Sequence, residues 1–331
     1  GRDLRVLCEL VEAETGRHLW AERFEGKVEH IFGIQDEIVT GIVGRLGPEL
    51  LAAEVARVAL KPKQNLDAWE CVVRALYHAA QQSEGETSTA LAYLARALVN
   101  DAEDARALGM RAWILVFRAF QGWGEMPEAL VEAKQLIASA LAVDNTELWP
   151  YLAQGMVGYA IRDNELSMAA LTRAVELSPN SVNAHGLLGV AHAFGGRFEA
   201  ALSSIEYARR LSPRDTFLSD FELYNAFAYF AGGRYDVTLQ YALQAHRLRP
   251  GHAYPLILAA SAAGHLNKLD LAETLLNDLK GLAPIASADL IEMSSPYVLE
   301  GDRARLIAGL VRAGMARTSG PSNARQTRKT L

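Results

Sequence analysis

A mostly helical protein built from repeated helix pairs is the fold class that this 331-residue sequence predicts. Three observations carry the expectation. Beyond residue 65 apolar residues recur with helical spacing almost everywhere, similar helix ends return at a near-constant interval, and the recurring positions are mostly filled by small residues. The expected architecture is mostly α: an α-solenoid of about six helical hairpins, preceded by a partial α/β segment made of a β-hairpin and one helix.

The amino-terminal segment differs from the rest. From Leu4 to Val11 apolar and polar residues roughly alternate, Glu14-Thr15-Gly16-Arg17 reads as a turn, and His18 to Phe24 forms a second short aromatic-containing run. That is a strand, turn, strand pattern. Ile31, Ile34, Ile38 and Ile42 then fall on one helical face, with Val39, Val43 and Leu46 beside them. Lys61-Pro62-Lys63-Gln64-Asn65 is a polar connector without periodicity and marks a domain boundary. Two strands and a helix leave unpaired edges, so residues 1–61 are expected to be the last part of a larger α/β domain.

Downstream, three helix ends align: Ala174-Val175-Glu176-Leu177-Ser178-Pro179, Ala208-Arg209-Arg210-Leu211-Ser212-Pro213 and Ala245-His246-Arg247-Leu248-Arg249-Pro250. Their leading alanines lie 34 and then 37 residues apart, and Leu279 follows 34 residues later, with weaker counterparts at Ala97 and Ala140. Six helix pairs fit between Asn65 and Pro284. In the clearest copy, Val182 to Asp215, the pair Leu188-Gly189 lies in the first helix, Gly195-Gly196-Arg197-Phe198 makes the turn, and Ala201, Ile205, Ala208 and Pro213 follow. A 34-residue helix-turn-helix period with these residues resembles the tetratricopeptide repeat. Small side chains where two helices cross let the backbones approach, and proline past the second helix ends it. The division expected is 1–61 for the α/β segment, 62–286 for the repeat array, 287–316 for a capping region with a helix over Arg303–Met315, and 317–331 for a basic, disordered tail.

The resemblance implies a concave groove lined by the first helix of each pair. Carried over by alignment, its lining would be Trp149, Leu152, Met156, Tyr159, Asn183, Val190, Leu223, Phe227, Phe230, Tyr254 and Ile257. An exposed apolar surface of this composition fits a protein or peptide partner, or a second copy of the chain. The family's basic carboxylate-clamp pattern is not evident.

The stretch Glu12-Ala13-Glu14-Thr15-Gly16-Arg17-His18-Leu19-Trp20-Ala21-Glu22-Arg23-Phe24, followed by Ile31-Phe32-Gly33-Ile34-Gln35-Asp36-Glu37-Ile38, resembles the end of a small TolB amino-terminal-like domain. In one bacterial architecture that domain joins an output module to carboxy-terminal tetratricopeptide repeats. The output implied is a class III adenylate or guanylate cyclase, or alternatively a winged-helix DNA-binding domain with the repeats acting as its sensing or dimerising region. None of a cyclase's metal-binding aspartates matches a position in this chain, so this chain itself is expected to be non-catalytic.

The residues agree with that expectation. The sequence holds no Walker-type loop, Gly-x-Ser-x-Gly elbow or His-Glu-x-x-His helix. His185 and His192 are seven apart on one helical face, a spacing compatible with metal but without a third ligand in register, and they read as packing residues. No cofactor is expected. A net charge of −6 gives the body no long-range attraction to nucleic acid, and no apolar run is long enough to span a membrane. Cys8 and Cys71 are the only cysteines and read as free thiols, as in a cytoplasmic protein.

Overall fold

The structure, a computed structural model, describes residues 3–11, 16, 18–27, 54, 57–58, 61, 66–211 and 218–317. The helix expected over 30–46, most of the 61–65 connector and the tail beyond 317 lie outside these residues. Two strands, β1 (Asp3–Val11) and β2 (His18–Lys27), pair antiparallel from Asp3 opposite Lys27 to Leu10 opposite Trp20, with an irregularity between Leu10 and Val11. Arg5 and Glu25 face each other across the ladder at 3.4 Å, an exposed cross-strand ion pair of small energetic weight.

Fourteen helices follow among the described residues, twelve of them as six pairs. The pairs are α1 (Ala68–Ala80) with α2 (Glu84–Asn100), α3 (Ala105–Phe120) with α4 (Met126–Val143), and α5 (Leu148–Ile161) with α6 (Asn164–Leu177). They continue as α7 (Val182–Phe194) with α8 (Phe198–Leu211), α9 (Leu218–Ala231) with α10 (Tyr235–Leu248), and α11 (Ala253–His265) with α12 (Leu269–Leu282). Two further helices end the chain, α13 (Ala288–Ser294) and α14 (Glu300–Arg312).

The repeat is visible in the backbone as well as in the sequence. Each of the six turns within a pair contains one residue with positive φ: Gln82, Gly122, Arg162, Gly196, Gly233 and Asn267. At Gly196 and Gly233 the turn is a Schellman motif. Arg197 N–H donates to His192 O at 2.8 Å and Gly196 N–H to Ala193 O at 3.0 Å; Arg234 N–H to Tyr229 O and Gly233 N–H to Phe230 O repeat it at 2.9 Å. The left-handed residue costs glycine nothing and costs a residue with Cβ about 1–2 kcal/mol. At the far end of each pair the aligned residues recur, alanine in five pairs and Leu279 in the last. The carbonyls of Ala97, Ala140, Ala174, Ala245 and Leu279 accept the N–H four residues on at 2.8–3.0 Å, and their side chains, like that of Ala208, are buried.

The chain forms two compact units. One comprises Gly1–Gly158, Glu165–Gly189 and Ser203–Phe217; the other comprises Tyr159–Asn164, Val190–Leu202 and Leu218–Leu331. In the first, a core of Cys71, Val73, Leu94, Met110 and Ile114 joins the first two pairs. Asp67 caps α1 by accepting from Glu70 N at 2.8 Å, and the Glu70 carboxylate, itself buried, pairs with Lys61 and with Arg57 at 3.2 Å. The Lys61 ammonium holds that carboxyl below the usual range against the opposing effect of burial. Close approach through small residues is direct: a Cβ on Gly109 would lie 2.6 Å from the Pro150 backbone nitrogen, and one on Gly155 would lie 2.6 Å from Leu171 Cγ. Cys71 is buried here, Cys8 lies in the hairpin, and both are free.

In the second unit α14 lies against α11, the first helix of the last pair. A Cβ on Gly264 would come 2.1 Å from Gly309 O, so two glycines bring these helices into backbone contact. Ser261 Oγ donates to Leu306 O at 2.9 Å at the same crossing. His252, at the start of α11, has its pKa lowered from 6.5 to about 3, by burial first and the Arg249 charge second. Arg249 is itself engaged with Asp220 at 2.9 Å.

Two outcomes follow for stability. Ala208→Leu places four-carbon bulk at a closed helix crossing and is expected to cost about 1–3 kcal/mol, read as a lower melting midpoint. Because folded His252 refuses a proton that the unfolded chain accepts near pH 6.5, stability is complete above that pH and falls as pH drops toward 3. His252→Asn, which removes the titrating ring at a position where asparagine is favoured, is expected to flatten the fall in melting midpoint between pH 7 and 4; an unchanged slope would assign the acid sensitivity elsewhere.

Candidate protein-interaction surface

The groove residues expected from sequence divide between the two units. In the first, Leu152 and Met156 are buried, while Trp149 and Asn183 are half-buried. Trp149 sits edge-on to Trp113 at 5.8 Å, and Trp113 stacks on Phe117 at 5.3 Å, so the indole packs against the preceding first helix. In the second unit Tyr159, Val190, Leu223, Phe227, Phe230 and Ile257 are buried and Tyr254 is half-buried. The exposed apolar surface expected at these positions is therefore not exposed. The helical period says which face of each helix is apolar; it does not say what lies on that face.

Over Phe227 and Phe230 in the second unit, the cover is the chain's own segment between α13 and α14. Tyr297 is completely buried, its ring 5.2 Å from Phe194, 5.7 Å from Phe230 and 6.2 Å from Phe227. Phe194 in turn meets Tyr159 at 5.2 Å and Phe227 at 4.9 Å, and Phe227 meets Tyr254 at 5.1 Å, mostly edge to face. The Tyr297 hydroxyl donates to Phe227 O at 3.0 Å. Burial pushes its pKa well above 10, so it stays a neutral donor. Tyr254 is also pushed up by burial, partly offset by the neighbouring Ser295 hydroxyl.

The segment's other hydrogen bonds to the helix pairs use its main chain. Val298 N–H donates to Phe194 O at 3.1 Å, supplying a partner to one of the carbonyls left open at the end of α7. Arg162, just past α5, gives its guanidinium to three carbonyls, Glu292 O and Ser295 O at 2.8 Å and Met293 O at 2.5 Å. Those are the last turn of α13 and the residue after it. From the other side Arg303 donates to Tyr297 O at 2.8 Å and Val298 O at 2.6 Å, and Arg305 donates to Ala231 O, at the end of α9, at 2.8 Å. Leu299 closes over the turn between α7 and α8: a Cβ on Gly196 would lie 2.5 Å from Leu299 Cδ1. Asp302, buried and paired with Arg305, has its pKa raised by desolvation against the pull of that arginine.

Arg162, Phe194 and Tyr297 were not among the residues expected from sequence. Tyr297 follows Ser294-Ser295-Pro296 in a stretch with no period, and an aromatic residue in such a stretch is the signal that was there to follow. His185 contacts Pro179 O at 2.7 Å through Nε2 and lies 4.5 Å from the Tyr207 ring, and burial lowers its pKa, as it does for His192. Among the described residues no group of three or more His, Cys, Asp or Glu is placed to hold a metal ion. No described helix is long and apolar enough to cross a membrane.

No family model matches the chain. A curated protein of Rhizobium meliloti (strain 1021), "Putative adenylate cyclase 3", is 30% identical over 145 residues, which cover 44% of this chain and 25% of that protein. The match thus spans a quarter of that relative's length. Among solved structures, the APC/C hetero-tetramer Cut9-Hcn1 aligns with a TM-score of 0.52 at 17% identity, over 75% of this chain and 42% of the other. A thermophilic TPR protein of Thermus thermophilus aligns over 59% of this chain and 98% of its own at 20% identity, with a TM-score of 0.44. Likeness at these identities concerns fold alone. Six helix pairs with a left-handed residue in every inner turn and small buried residues at the recurring helix ends constitute a fold of the tetratricopeptide-repeat type.

Proposed function

We propose that this chain is a protein-interaction and regulatory region of a bacterial signalling protein of the class III adenylate cyclase kind, itself non-catalytic and cytoplasmic. The observation that carries the reading is the 30% identity with the Rhizobium meliloti protein over 145 residues. The repeat fold supports it, because such arrays present extended concave faces to protein or peptide partners. The resemblance of Glu12–Phe24 and Ile31–Ile38 to the end of a TolB amino-terminal-like domain supports the same architecture.

Regulation would be indirect. A partner or second copy bound to the repeats biases the arrangement of attached catalytic domains, and the coupling equals its difference in affinity for the two arrangements. The chain contributes recognition; the nucleotide chemistry belongs to another domain.

The test is to read the coding sequence upstream of Gly1 and to assay its whole product for conversion of ATP to cyclic AMP, with and without residues 66–317. A domain with paired metal-binding aspartates is expected, and removing the repeats is expected to change its rate by about fivefold or more in one direction. A winged helix upstream would overturn the cyclase assignment and make the repeats the sensing region of a gene regulator. A cyclase indifferent to the deletion would overturn the regulatory role.

A further inference from the structure

We propose that the pocket made by Arg162, Phe194, Phe227 and Phe230 is a peptide-binding site held closed by the chain's own Ser287–Leu299 segment. Its partner is a protein segment of the same chemistry: a short helical turn with open carbonyls, then an extended stretch carrying a tyrosine. The inference rests on the reading of this chain as a protein-interaction module and names the site and the chemistry of its partner.

The occupant defines what the site recognises. One aromatic side chain, Tyr297, is buried among Phe194, Phe227 and Phe230, and its hydroxyl reaches Phe227 O. Almost everything else is main-chain recognition, three carbonyls on Arg162 and the Val298 N–H on Phe194 O. A single aromatic anchor with backbone hydrogen bonds on either side is how extended peptides are held, affinity coming from the backbone and specificity from the pocket. None of these contacts requires that the peptide belong to the same chain.

Arg162 reaches the segment from the inner turn of its own pair. It has φ 59°, at the turn position that Gln82, Gly122, Gly196, Gly233 and Asn267 occupy in the other pairs. A residue with Cβ is strained there by about 1–2 kcal/mol, and strain of this kind persists where a side chain is needed in that place. Here the strained backbone sends the guanidinium onto the last turn of α13. Arginine is suited to that end of a helix, where the free carbonyls and the negative end of the dipole lie.

The α13 end of the occupant is lightly held, while Ser295 and Tyr297 are buried. Helix α13 has seven residues, too few to be stable alone, and buries only Ala288 and Ile291. Met293 is 76% exposed and Leu290 45%, so its outer side meets solvent. The five residues Ala283–Ser287 that join it to α12 are non-helical and contain Pro284. Such a segment opens at lower free energy than the paired helices around it. Helix α14 is anchored by the Gly264–Gly309 crossing and meets the segment through Arg303, on Tyr297 O and Val298 O.

The test uses the full chain and a fluorescent fourteen-residue peptide with the sequence of Ser287–Glu300. Wild-type chain competes with its own segment, so its apparent affinity is reduced by the fraction of sites that stand open. Tyr297→Ala frees the pocket without altering its walls, and the peptide is expected to bind this variant at least about tenfold more tightly than wild type. A peptide with alanine for tyrosine is expected not to bind, and Arg162→Ala added to Tyr297→Ala is expected to abolish binding. Should Tyr297→Ala lose its cooperative melt, Tyr297→Phe, which keeps the ring and drops the hydroxyl, replaces it with a smaller gain in the same direction. Equal binding to all variants, or binding that survives loss of the peptide's tyrosine, overturns the proposal. The readout involves no cyclase activity, so its failure leaves the cyclase assignment standing, and a winged helix upstream of Gly1 would leave the pocket unaffected.

Discussion

The close approach of one helix to another at residues with little or no side chain is the constraint on which the rest of this structure depends. A helix pair can repeat only if each copy offers the same small footprint to its neighbour. Ala97, Ala140, Ala174, Ala208 and Ala245 supply it at the ends of second helices, and Gly109, Gly155 and Gly264 supply it on first helices, where an added Cβ would meet another residue at 2.6 Å or less. The six left-handed turn residues fix the geometry of each hairpin so that these footprints come into register. Larger apolar residues then fill the grooves, and the repeat sums many modest burials into a stable array.

The same constraint explains the fate of the large aromatic residues. Once small residues have brought the helices together, the ends of first helices collect Tyr159, Phe194, Phe227 and Phe230. Left uncovered, such a patch would be an aggregation liability or a binding site. Here Tyr297 fills it, and carbonyls at the ends of α7 and α9 receive donors from Val298 and Arg305. One segment thus satisfies an apolar need and a polar one together.

How much of this was legible in the sequence depends on whether a feature repeats. The period of Ala174, Ala208 and Ala245 announced the helix pairs, because the packing requirement recurs with each copy and leaves its mark each time. The strand pattern of residues 4–24 was legible because burial of one face alternates with period two, as Val6 and Cys8, less exposed than Arg5, Leu7 and Glu9, now show. The groove positions fall on the apolar face of each first helix, a property that repeats and is legible, but what covers them is not: the segment over Phe227 and Phe230 occurs once, without a period. Its contacts are mostly to backbone carbonyls, which no side chain reports. Arg162 was invisible for a related reason, since its importance comes from a turn conformation shared with glycines.

The aromatic patch of Phe194, Phe227 and Phe230 is closed by the chain's own segment, held by hydrogen bonds to helix-end carbonyls. Amide hydrogen exchange of Val298 in the native chain tests this most directly. The account predicts exchange far slower than in a free peptide of the same sequence, with protection reduced by Arg162→Ala while the amides of α9 and α11 keep theirs. Exchange of Val298 at the free-peptide rate in the unaltered chain would contradict it.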